Sequence, residues 1–123
     1  MALRVRKSKV VKADNMCPIG KCMELLQGAW TPNVIWYLSE GPRRFGELQA
    51  DMKPISAKML SARLKSLEQC GVLVRAVMPT SPPSVEYALT DLGRELVPAI
   101  RSIAEVGHKL KQRKPAPKKR SAF

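Results

Sequence analysis

Aromatic side chains are scarce in this chain: two Trp, two Tyr and two Phe among 123 residues. Any core is therefore aliphatic. Hydrophobic residues at 45% of the chain suffice for one small domain. Histidine occurs once, at His108, which leaves a Ser-His-Asp or Cys-His catalytic unit with little to draw on. Three cysteines, Cys17, Cys22 and Cys70, lack the paired short-loop spacing of a zinc site. Their uneven placement also argues against a disulfide framework and for a reducing compartment. No glycine-rich phosphate loop is present. No apolar run approaches the ~20 residues of a membrane span. The opening MALRVRKSKVVKADN has no apolar signal segment. The expectation is a cytoplasmic protein that is not an enzyme, with no metal, no cofactor and no membrane contact.

Acidic residues are missing from both ends, and this shapes the charge. The net charge of +12 sits entirely in two segments. Residues 1–12 carry Arg4, Arg6, Lys7, Lys9 and Lys12 without an acid. Residues 109–123 carry seven basic groups, also without an acid. Residues 13–108 hold 10 basic and 10 acidic side chains. Within that neutral middle, residues 41–66 are net +4. This distribution points to a polyanion, most simply nucleic acid. We expect a basic disordered arm over 1–12, a folded domain over 13–110 and a basic disordered tail over 111–123. The tail pairs prolines with like charges and has little to bury.

Along the chain, Cys17-Pro18 opens a helix reaching about Gln27, where Gly28 stops it. Thr31 is read as the N-cap of a second helix, with Pro32 at its first position. Arg43-Arg44-Phe45 reads as a short extended piece. Phe45 to Met52 reads as a short helix with Phe45, Leu48 and Met52 on one face. The stretch ISAKMLSARLKSLEQCGVLVR then gives a longer helix. Ser56 is its N-cap, and Leu60, Leu64 and Leu67 share one side at i, i+4 and i+7. At about 100° per residue, Lys58, Ser61, Ala62, Lys65 and Gln69 fall on the far side, with Met59 and Arg63 on the flanks. Gly71 suits the helix C-terminus. Val72–Val77 and Val85–Leu89 read as paired strands across a proline-rich loop. Thr90-Asp91 starts a last helix. Leu92, Leu96, Ala99, Ile100, Ile103 and Leu110 form its apolar stripe, and Pro98 removes one hydrogen bond inside it.

This order predicts a mainly helical (α+β) fold: a winged helix-turn-helix with a β-hairpin wing and a long C-terminal helix. In such folds the second helix of the motif enters the major groove of double-stranded DNA. The base-reading candidates are Ser56, Lys58, Met59, Ser61, Ala62 and Lys65. Lysine contacts guanine or phosphate, serine bonds to either base type, and alanine permits close approach. Arg43, Arg44 and Arg63 are the phosphate candidates.

Several stretches resemble, in order and spacing, the HxlR-type winged helix-turn-helix transcriptional regulators, relatives of the MarR group. They are Cys17-Pro18-Ile19, Leu26-Gln27-Gly28-Ala29-Trp30-Thr31, Gly41-Pro42-Arg43-Arg44-Phe45-Gly46-Glu47-Leu48, the whole run from Ile55 to Glu68, Gly71-Val72-Leu73-Val74-Arg75, and Val85 to Gly93. The match spans about residues 16–108. It implies a homodimer, joined through the first and last helices, on a partly palindromic operator. The resemblance also implies an oxidant or electrophile sensor at Cys17, the position some members use. A helix N-terminus favours an anion, and Lys21 lies one turn on, so the local field agrees. A small-molecule effector is another possibility the family offers. The chain departs from the family at Ala29 and Ser84, where a basic residue is common, and in its basic ends.

Two other readings stay open on the sequence. One is a sequence-indifferent architectural DNA binder driven by its tails. The other is a winged-helix module that binds protein. An inert, buried thiol remains the alternative at Cys17, and Cys22 and Cys70 are read as structural.

Overall fold

The computed structural model describes Lys9 and residues 18–113. The expected arm over 1–12 (apart from Lys9), Cys17 and the tail beyond Arg113 lie outside the described residues. The elements in order are α1 (Pro18–Leu26), α2 (Thr31–Leu38), β1 (Arg43–Arg44), α3 (Phe45–Asp51), α4 (Ala57–Gln69), β2 (Leu73–Met78), β3 (Ser84–Leu89) and α5 (Asp91–Gln112). This is the predicted winged helix-turn-helix. The strands sit within a residue of the expected bounds. The last helix runs to Gln112, past the boundary expected at 110.

Helix α2 forms the centre. Its Val34, Ile35 and Leu38 are buried among Leu48 and Met52 of the α3 segment, Leu60, Leu64 and Leu67 of α4, Val72 and Leu73, Leu89, and Ile100 of α5. The core is aliphatic, as the shortage of aromatics requires; Trp30, Tyr37, Phe45 and Tyr87 pack at its margin. The sheet is antiparallel in the order β1-β3-β2. Arg43 lies opposite Tyr87, and Leu73 opposite Leu89. The two-residue β1 thus clips the helix-turn-helix to the wing. On the other side β2 has no strand partner among the described residues, and its Val74 and Val77 are 49% and 61% exposed.

The entry to α2 differs from expectation. Thr31 is not the N-cap; it is the first helical residue, and its hydroxyl donates to the Gln27 carbonyl at 2.9 Å. The cap position belongs to Trp30, in the left-handed region at φ 73°. With Gly28 also left-handed at φ +97°, the chain turns from α1 to α2 within four residues. The Thr31 hydroxyl satisfies a carbonyl of the preceding helix end rather than a donor of its own helix.

Elsewhere the capping follows the sequence. The Ser56 hydroxyl accepts from the Met59 N–H at 3.1 Å. Thr90 accepts from the Gly93 N–H at 3.2 Å and donates to the Val72 carbonyl at 3.0 Å, which pins α5 to the start of β2. Gly93 is buried there. A Cβ at this position would collide with the Val72 carbonyl oxygen and press within 3.1 Å of Leu89.

The α5 stripe divides in two. Ile100 is buried, and Leu96 and Val97 pack against the core. Ile103, Val106 and Leu110 are 55%, 55% and 61% exposed. Leu92 and Ala99, expected within the stripe, are exposed as well. The domain's own core ends near Ile100; beyond it Ile103 and Ala104 border a cleft with Trp36 and Tyr37 of α2, and Ile103, Val106 and Leu110 stay more than half exposed.

Candidate nucleic-acid interface

Helix α3, a turn and helix α4 form the helix-turn-helix, and packing decides which side of α4 faces out. Leu60, Leu64 and Leu67 are buried on the core side. Ser56, Lys58, Ser61, Ala62 and Lys65 are exposed together, as a helical period of 3.6 dictates once the leucines are fixed. Met59 is half-buried and packs against the core, so little of it is left for a groove. These five residues present two hydroxyls, one methyl and two ammonium groups, and the exposed carboxylate of Glu68 lies beside them, seven residues after Ser61.

The three arginines are held in different ways. Arg44 is exposed, at the end of β1. Its backbone N–H donates to the Glu47 carboxylate at 2.8 Å, which fixes the start of α3 and leaves the side chain out of that bond. Arg43 is half-buried and forms an ion pair with Asp51 at 2.7 Å, while its Nε has no hydrogen-bond partner among the described residues. Arg63 leans from the flank of α4 onto the turn between α1 and α2. There its Nε–H donates to the Ala29 carbonyl at 2.7 Å. Of the three, Arg44 is the least engaged with the protein.

The wing loop over 79–83 contains no charged residue. It is held by its own polar groups: the Thr80 hydroxyl donates to the Pro82 carbonyl at 2.7 Å and lies 3.3 Å from that of Ser84. Arg75 on β2 is exposed and basic, yet absent from the expected set. An isolated charge within a predicted strand beside the wing was the available signal. Cys22 and Cys70 are exposed rather than buried, so neither works as core packing within the chain. Among the described residues no cluster of His, Cys, Asp and Glu could hold a metal ion. No described helix is long and apolar enough to cross a membrane.

The HxlR-like helix-turn-helix family model matches residues 25–115, which includes α2 through α5. The chain belongs to this family. An HxlR-like chain of this kind is a helix-turn-helix transcriptional regulator, a DNA-binding protein and not an enzyme. It is 36% identical over 97 residues to an uncharacterised HTH-type transcriptional regulator, YdeP, of Bacillus subtilis (strain 168), covering 79% of this chain and 76% of the relative. A MarR-family transcriptional regulator of Porphyromonas gingivalis W83 superposes with a TM-score of 0.74 at 37% identity, covering 80% of this chain and 97% of that one. The redox regulator HypR in its oxidised form superposes with a TM-score of 0.72 at 30% identity, covering 81% of this chain and all of that one.

Proposed function

We propose that this HxlR-like protein is a sequence-reading regulator that binds a partly palindromic operator as a homodimer. The observation that carries the reading is α4: its leucines are consumed by the core, and Lys58, Ser61, Ala62 and Lys65 are left together on the outer side. Ser56 and the exposed part of Met59 complete the base-reading set. Arg44 is the leading phosphate contact. Arg43 and Arg63 join it through the guanidinium faces their protein partners leave open. Such a protein acts where the DNA is, in the cytoplasm.

The dimer rests on a second observation. Ile19 and Met23 on α1, and Ile103, Val106 and Leu110 on α5, are large apolar side chains in open solvent. The α5 set recurs at i, i+3 and i+7, a stripe that fits a partner helix. A two-fold pairing through these helices places two α4 helices on one side, with half-sites a helical turn or a multiple of it apart. Redox response through Cys17 is the finer part of the proposal. It is supported by the cysteine's place before α1 and by similarity to a protein described as a redox regulator.

The test is selection from a random double-stranded DNA pool, with reduced and with diamide-treated protein. An enriched palindrome is expected, and its loss on oxidation is expected to vanish in Cys17→Ser. Because Cys22 and Cys70 are also exposed, Cys22→Ser and Cys70→Ser are run beside it. Tight binding without enrichment sinks the operator reading in favour of an architectural binder. In that case deleting residues 1–12 and 111–123 abolishes binding.

A further inference from the structure

One flank of α4, between its leucine side and its proposed base-reading side, carries the next inference. Arg63, Ser66 and Cys70 recur at i, i+3 and i+7, so they line one flank. That flank faces α1. Ser66 and Cys70 look across a cleft of about 390 Å³ at Lys21, Glu24, Leu25 and Gln27. Along this cleft α1 buries no residue fully, and only Leu25 and Leu26 at its C-terminal end pack against the core. The link is made at one end. Arg63 Nε lies 2.7 Å from the Ala29 carbonyl. Its guanidinium lies over the backbone of Gly28, where a Cβ would stand 2.9 Å from Cζ, 3.1 Å from Nη1 and 3.2 Å from Nη2. Three nearly equal distances describe a flat group stacked on a bare glycine.

The far end of this link is rigid. Gly28 and Trp30 are both left-handed, Thr31 bonds back to Gln27, and the Val34 N–H donates to the Trp30 carbonyl at 3.0 Å. Val34 itself is fully buried. The Ala29 carbonyl is thereby fixed to the centre of the core, and Arg63 transmits that position to α4. The near end matters because a leucine face resists separation better than rotation. Groove-facing atoms sit about 5–6 Å from the helix axis, so a rotation of about 20° moves them about 2 Å. Hydrogen bonds to base edges do not survive such a displacement.

We infer that Arg63 is a positioning residue: its Nε–H bond to Ala29 holds α4 in rotational register for base reading. This rests on the assignment of α4 as the base-reading helix. It gives Arg63 a task separate from phosphate contact, which belongs to Nη1 and Nη2. Those two nitrogens carry no hydrogen bond among the described residues. Gly28 belongs to the same device, because any side chain there displaces the guanidinium.

Glutamine and methionine separate the two tasks. Gln Nε2 stands four bonds from Cα, as Arg Nε does, and Met is of similar length with no donor. Arg63→Gln and Arg63→Met both remove the charge, so both lower the slope of log affinity against log salt by the same step, about one phosphate. Only Arg63→Gln keeps the Ala29 bond. The quantity read is the affinity for the selected operator divided by that for random DNA. We expect Arg63→Gln to retain the wild-type ratio and Arg63→Met to lower it about fivefold, the scale of one hydrogen bond. Arg63→Lys, with the charge but no donor at the Nε position, should lower the ratio while keeping the salt slope. It stands in for Arg63→Met if that variant does not fold. Equal ratios for the donor-bearing and donor-lacking variants overturn the inference alone. A wild-type chain with no operator preference overturns the base-reading assignment and takes the inference with it.

Discussion

Helices α4 and α5 are both amphipathic, and they dispose of their apolar sides in opposite ways. In α4 the side is used up within the chain, and what remains outside is polar and basic. In the second half of α5 the apolar side is what remains outside. Amphipathic patterning therefore states that a helix has a side to hide, without stating what will hide it. The cover for α4 is the α2 core, already present in one copy. The α5 stripe extends beyond that core, and its cover in our reading is a second copy.

Four effects, from stability to salt dependence, sharpen or break this contrast. The largest effect belongs to the α4 leucines. Leu64→Ala leaves a cavity in a filled aliphatic core and should lower unfolding stability by about 3 kcal/mol, read from urea midpoints. Leu110→Ala, measured at a protein concentration low enough to keep the chain monomeric, should change stability by less than about 0.5 kcal/mol; equal losses in the two would erase the distinction. Next comes assembly. Ile103→Asp combined with Val106→Asp places charge in the proposed α5 seam. Sedimentation should then report half the wild-type mass, with operator affinity lowered roughly a hundredfold. A dimer that persists disproves the α5 seam. The third effect is on reading. Lys58→Ala should change the preferred base at one position of each half-site, a discrimination of about 1–3 kcal/mol. An unchanged selected sequence would remove Lys58 from the base-reading set. The smallest is Arg44→Ala, expected to weaken all sequences alike and to reduce the salt slope by about one. A change in sequence preference there would mean Arg44 reads bases.

Much of this was legible because it is local. The i, i+4, i+7 leucines of α4 fixed both its core side and, by rotation, its outer side. Ser56 and Thr90 each cap within three residues, which a short window displays. The hairpin followed from two strand-like runs around a proline-rich loop. What escaped depends on distant partners. The Arg63–Ala29 bond spans 34 residues, and no window shows it. Arg43 reads as a free cation until the fold brings Asp51 within 2.7 Å. Thr31 looks like an N-cap because threonine often is one; its hydroxyl was instead claimed by Gln27, and Trp30 took the cap position by turning left-handed. The exposure of Ile103 and Leu110 agrees with an apolar stripe too long for one small core to cover, while the place where burial stops, near Ile100, and the exposure of Val106 were not legible, since they depend on where the core ends.

The strand order has a practical consequence for the protein in solution. Among the described residues strand β2 bonds to β3 alone, and its exposed Val74 and Val77 project from opposite faces beside the free edge. An unpaired edge with apolar side chains is a template on which another chain can add a strand. Repulsion between copies carrying +12 opposes this at low ionic strength. The protection is colloidal, so it fades as the screening length contracts from about 10 Å at 0.1 M salt to about 3 Å at 1 M. The salt wash that strips nucleic acid from the protein therefore also disarms its guard against stacking, and turbidity should rise in the cleanest fractions first.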